Sequence, residues 1–123
     1  MIPALDLSAL HAHVDLPVDY FRELDALAGP ESNNNPKAIG NAGERSKYQM
    51  SLTVWREECS LPWSDALDDK KARLIAYRHL LTLTRKLLRR GYSVTPYSLA
   101  LAWNPHGGTD RAQRVANLYS ALP

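Results

Sequence analysis

An all-α domain is what this sequence predicts, and three observations carry that prediction. Apolar residues recur at helical spacing, as in "PVDYFRELDALAG", where Tyr20, Phe21, Leu24, Leu27 and Ala28 share a face. Capping residues such as Ser51 and Thr95 stand where helices should begin, and Gly29, Pro30, Pro62 and Gly91 where they should stop. No stretch alternates apolar and polar residues as a half-buried strand would. At 123 residues and 45% hydrophobic content, the chain fits one domain with one core.

The elements follow in order. Residues 1–16 read as an N-terminal extension. Pro17 suits the first turn of a helix, where its missing N–H costs little, and Gly29 with Pro30 should end that helix. Residues 31–50 are then a long loop rich in Asn and Gly, in which Asn33, Asn34 and Asn35 suit turns. A loop of that length in a compact domain points to function. Ser51 caps a short helix over 52–58, closed by Pro62, and Ser64 or Asp65 opens the next. The long helix spans about 68–90. Asp65, Asp68 and Asp69 lie at its start and Arg85, Lys86, Arg89 and Arg90 at its end, both complementing the helix dipole. Lys71, Arg78, Thr82, Arg85 and Arg89 fall on one polar stripe. Leu74, Ala76, Tyr77, Leu80, Leu81, Leu83, Leu87 and Leu88 cover the rest. So wide an apolar arc predicts a central helix around which the others pack. Thr95-Pro96 starts a helix over 96–103, and Thr109 or Asp110 a last one to about 121, for about five helices in all.

Composition narrows the function classes. No run approaches the 18 apolar residues of a membrane span. A net charge of +2 is far from a nucleic-acid signature and compatible with an anionic polymer. "MIPALDLSAL" lacks a basic segment, and Asp6 breaks its apolar run, so it does not read as a signal peptide. The one cysteine, Cys59, has no internal partner and is expected to pack as a small hydrophobe. In "HAHVD", His11, His13 and Asp15 would share a side only in an extended segment, so no metal site is expected there. "RKLLRR" at 85–90 reads as a solvated helix end.

Four motifs remain: "ESNNNPKAIG", "GERSKYQM", "LALAWNPHGG" and "RAQRVANLY". In that order, and on the expected helix ends, they resemble the motifs of the lysozyme-like lytic transglycosylases, the soluble-lytic-transglycosylase (SLT) domain family. The resemblance covers roughly residues 20–120. It implies a lysozyme-like all-α fold and cleavage of the β-1,4 bond between N-acetylmuramic acid and N-acetylglucosamine in peptidoglycan. It implies that Glu31 is the general acid and then the general base, closing a 1,6-anhydro ring with one carboxylate instead of two. It also implies that Ser32, Tyr48, Gln49, Trp103 and Asn104 bind substrate. Ser32 would orient the carboxyl or the acetamido group, Tyr48 would stack on a sugar, and Gln49 and Asn104 would hydrogen-bond it. Peptidoglycan strands are the implied partner of a monomer that acts outside the cytoplasm with no cofactor and no metal.

Two positions depart from the family's pattern. Pro30 precedes Glu31, where the family continues its helix without proline. Arg111 stands where the family has Tyr, and a guanidinium beside Glu31 would favour its ionised form. The expectation for Arg111 is therefore a carboxylate of the substrate, not Glu31. Two alternatives stay open. One is a non-catalytic lysozyme-like module that binds glycan or a partner protein. The other is a hydrolytic lysozyme, for which Glu44 is the nearby second carboxylate.

Overall fold

A computed structural model of the protein describes residues 18–123. Within them the fold is all-α. Five α-helices follow one another: α1 (Tyr20–Ser32), α2 (Leu52–Glu58), α3 (Asp69–Arg89), α4 (Pro96–Trp103) and α5 (Gly108–Ala121). Short 3₁₀ turns, Trp63–Leu67 and Pro105–Gly107, precede α3 and α5. Pro17, "HAHVD" and the proposed extension lie outside the described residues.

Helix α1 begins at an Asp19 cap, whose carboxylate accepts from the Arg22 N–H at 3.2 Å. It does not end at Gly29 and Pro30, as the sequence predicts. It runs through both to Ser32, with Pro30 inside the helix. Gly29 makes this possible, because a residue before proline resists helical geometry partly through its Cβ, and glycine has none. The chain leaves the helix at Asn33, in the left-handed region at φ 56°. The Asn33 and Asn34 N–H groups donate to the Gly29 and Ala28 carbonyls at 2.7 and 3.0 Å. Two asparagines, which tolerate that region, thus replace the glycine stop. As a result Glu31 and Ser32 sit on the last helical turn and not in the loop.

The loop from residue 33 to Ser51 is ordered by its own hydrogen bonds. Arg45 and Met50 exchange both backbone bonds, at 2.9 and 3.0 Å, and Gly40 N–H donates to the Glu44 carbonyl at 2.8 Å. Ser46 and Gln49 hold positive φ values of 79° and 54°. This turn drives Tyr48 into the core, fully buried.

Helix α2 starts as expected at Ser51, which accepts from Val54 N–H at 3.1 Å. Helix α3 starts later than Ser64 or Asp65, both of which lie in the 3₁₀ turn; Asp68 is its cap. Helix α4 carries the Thr95–Ser98 capping box, with Pro96 in its first turn. Helix α3 packs on α1, α2 and α4, but α5 docks chiefly on α1 and α4. The arc of α3 is correspondingly narrower than its leucines suggest. Leu74 and Leu88 are about 60% exposed, while Ala72, Ile75, Tyr77, His79 and Thr84 are buried. The core gathers Trp55, Tyr48, Leu24, Leu27, Ile75, Leu80 and Leu99. Arg22 ties α1 to the far end of α5. It donates to the Tyr119 carbonyl at 2.6 Å and to the Leu122 carbonyl, and it lies over the Tyr119 ring. Tyr119 is therefore an anchor of the fold, and Cys59 packs beside the core, donating to the Trp55 carbonyl.

Candidate active site

A cleft of about 590 Å³ opens where the end of α1, the loop, α3 and the α4–α5 junction meet. That size suits a small ligand or a few sugar rings' worth of contact. Its wall includes Glu31, Glu44, Gln49, His79, Trp103, Asn104 and Arg111.

The side chain of Glu31 is 3% exposed. The extra helical turn beyond Pro30 is what carries it to the cleft. Arg111 Nη1 donates to its Oε2 at 3.1 Å, and Asn104 Nδ2 lies 3.4 and 3.5 Å from the two oxygens. Burial pushes the Glu31 carboxyl above its ordinary range. The Arg111 charge and the hydrogen bonds from Asn104 and Arg111 pull it down, and the Glu44 charge pushes it up again. The outcome is upward. The physical reason lies in exposure: the Arg111 side chain is 34% exposed, so water screens its charge, whereas Glu31 has lost most of its hydration.

This corrects the sequence expectation for Arg111. Its guanidinium contacts Glu31 directly instead of waiting for a substrate carboxylate. The contact opposes the upward push on the Glu31 carboxyl without reversing it, because desolvation is the larger effect. Asn104 has two tasks. Its Oδ1 accepts from Gly107 N–H at 3.0 Å and opens the 3₁₀ turn, while its Nδ2 faces Glu31.

Other expected residues divide. Trp103 lines the cleft and donates from Nε1 to the Tyr48 carbonyl at 2.8 Å, joining α4 to the loop. Gln49 also lines the cleft, but its Nε2 donates to the Ser46 and Ala38 carbonyls at 2.8 and 3.3 Å. Only its oxygen is left for a ligand. A Cβ on Gly40 would fall 2.4 Å from that oxygen, so any other residue there would push the Gln49 side chain aside. Two residues are corrected outright. Tyr48 cannot stack on a sugar, because it is fully buried and its hydroxyl accepts from Arg73 at 3.1 Å. Ser32 does not reach the cleft. Its hydroxyl is spent on the Lys47 carbonyl at 2.7 Å and the Ala28 carbonyl at 3.1 Å, tethering the loop to α1.

No family model matches this chain, and no curated protein or solved structure is significantly similar to it. The site's own chemistry is a nearly buried carboxyl raised above its ordinary range, a cation and an amide beside it, and a second carboxylate on the same cleft. Among the described residues, no three His, Cys, Asp or Glu side chains gather as a metal site would require, and no helix is long and apolar enough to cross a membrane.

Among the residues of the cleft wall that sequence reasoning missed is His79. It lies on the apolar arc of α3, 7% exposed, with Nδ1 2.8 Å from Glu58 Oε2. A histidine among leucines was its only signal, and such a residue is more often a satisfied core side chain.

Proposed function

We propose that the protein is a peptidoglycan lytic transglycosylase that cleaves the β-1,4 bond between N-acetylmuramic acid and N-acetylglucosamine. The observation that carries this reading is the Glu31 carboxyl, whose hold on its proton burial strengthens although it faces an open cleft. Such a group is a general acid.

In the first step Glu31 gives its proton to the glycosidic oxygen as the bond to C1 breaks. The substrate's own acetamido group supports the positive centre that forms. Glu31 is then a carboxylate, and its two neighbours become useful: Arg111 and Asn104 both point donors at the oxygens that have just gained charge. In the second step the carboxylate takes the proton of the C6 hydroxyl, whose oxygen closes on C1. A 1,6-anhydro ring results and Glu31 is protonated again. Burial favours the starting acid, and Arg111 favours the intermediate anion. The opposing influences on one carboxyl therefore suit a residue that must both give and take a proton. Peptidoglycan lies outside the cytoplasm, and so would this activity.

One observation favours a second reading. Glu44 lines the same cleft, and its charge adds to the upward push on Glu31. A second carboxylate that activates water would make the protein a hydrolytic lysozyme. Digestion of purified peptidoglycan followed by mass spectrometry separates the cases. Anhydro-terminated products support the transglycosylase, reducing ends support hydrolysis through Glu44, and the absence of any released fragment would overturn both and leave a binding module.

A further inference from the structure

The pair of Glu58 and His79, of which His79 lines the cleft, has a feature that a structural tie leaves unexplained. Glu58, the last residue of α2, is 8% exposed. One of its oxygens lies 2.8 Å from His79 Nδ1, and the other accepts from Thr82 Oγ1 at 3.1 Å. Burial pushes the Glu58 carboxyl up, but the hydrogen bonds from His79 and Thr82 and nearby positive charge together pull it down by more, so it is ionised. An ionised carboxylate only accepts. Nδ1 must therefore carry the proton, and in neutral imidazole Nε2 keeps a lone pair.

Both Glu58 oxygens and His79 Nδ1 are thus committed to the α2–α3 contact. Nε2 is not. It has no protein partner among the described residues, and the buried polar side-chain atoms without a partner there are both on Glu23. Nε2 therefore meets the cleft, whose wall includes His79. The edge of the imidazole rests against Trp103, with ring centroids 5.1 Å apart, which fixes the ring's direction. Trp103 and Val54 add apolar wall beside it. An aimed acceptor next to apolar surface is the usual make-up of a sugar subsite.

We propose that His79 is a substrate-binding residue, whose Nε2 accepts a hydrogen bond from an O–H or N–H of a bound sugar, and that Glu58 is the positioning residue that fixes its tautomer. The inference rests on the glycan reading of the cleft. It adds a binding contact on the wall formed by α3, away from the Glu31 corner.

The test is an NMR titration of the wild-type protein with chitotriose, a soluble N-acetylglucosamine trimer, following the imidazole nitrogens of His79 and the backbone amides around the cleft. The expected result is a free protein protonated at Nδ1, with an Nε2 resonance that moves on binding as an accepted hydrogen bond requires. A titration that moves the Trp103 and Asn104 amides but leaves Nε2 unchanged would overturn the inference and spare the glycan reading. A titration that moves nothing would overturn both. Replacing the ring by one of similar shape but no acceptor, His79→Phe, should weaken chitotriose about 3–10-fold, the usual worth of one hydrogen bond; unchanged affinity in the folded variant would count against the contact. For Glu58, the variant Glu58→Leu leaves Nδ1 without this acceptor, so it should release the imidazole proton from Nδ1 to Nε2 and weaken binding. An unchanged tautomer with unchanged affinity would remove Glu58 from the account.

Discussion

Helix α1 holds two glutamates, Glu23 and Glu31, eight residues apart and so about 12 Å along the axis. Both are buried, and burial raises the carboxyl of each. There the likeness ends. Glu23 is fully sealed, neither oxygen has a partner, and its carboxyl is pushed up to about 8. Glu31 has a cation and an amide on one side and a cleft on the other. Desolvation alone is enough to hold a proton at neutral pH. To use it, the carboxyl must also have an opening through which the proton leaves, and partners that accept the charge left behind. The first half of α1 has the desolvation alone, whereas its last turn combines a carboxyl raised by burial with the opening and the partners.

The largest effect that would break this comparison is on activity. Glu31→Gln keeps size and hydrogen bonding but has no acid proton, so glycan cleavage should fall about 10²–10⁴-fold in a folded protein. The matching change at the sealed site, Glu23→Gln, should leave turnover near wild type. Equal losses from both would mean that the two carboxyls do not differ as described.

Stability should show the opposite pattern. Glu23 titrates near 4.5 in the unfolded chain and near 8 in the folded one. The folded state therefore binds this proton more tightly. Its favourable contribution is complete below about pH 4.5 and is lost progressively as pH rises, fully so above about pH 8. At about 1.4 kcal/mol per pH unit, the loss reaches about 3 kcal/mol by pH 7. Glu23→Met removes the group, so its melting temperature should fall much less than that of wild type between pH 5 and 8. Parallel curves for the two proteins would mean that Glu23 has a partner in solution.

A smaller effect belongs to Arg111. Its charge pulls the Glu31 carboxyl down, so Arg111→Met should let that carboxyl rise further. In the proposed mechanism Glu31 acts as an acid, so activity should be lost as pH climbs through its pKa. The alkaline limb of the pH–rate profile should accordingly move to higher pH in the variant. A limb that stays in place would mean that water screens Arg111 completely. The smallest effect is that of Ser32→Ala, which removes the tether to the Lys47 carbonyl and should cost about 1 kcal/mol of stability. If Ser32 touched substrate instead, the affinity for glycan would fall with little change in stability.

The parts legible in the sequence are those set by local chemistry. Ser51 and Thr95 cap helices because the bond runs from a side chain to an N–H three residues on, within one short segment. The end of α1 was misread because Gly29 and Pro30 are ordinarily stops, whereas here glycine relieves the proline and Asn33 supplies the turn. Tyr48 was misread because the destination of an aromatic residue in a loop depends on packing, and the positive φ values of Ser46 and Gln49 that steer it are invisible in composition. The proximity of Arg111 to Glu31 could be suspected from the motif order. Which of them prevails, the cation or desolvation, depends on how exposed each side chain is, and only the geometry decides that.

Glu31 faces the cleft and holds its proton more tightly than an ordinary glutamate does. Titration of the glutamate side-chain carboxyl carbons by NMR, with Glu31→Gln used to assign the resonance, measures this directly. The account predicts a Glu31 midpoint above that of an ordinary glutamate, rising further in Arg111→Met. A midpoint at or below the ordinary value would make Glu31 the ionised partner of Arg111, and the general-acid reading would be wrong.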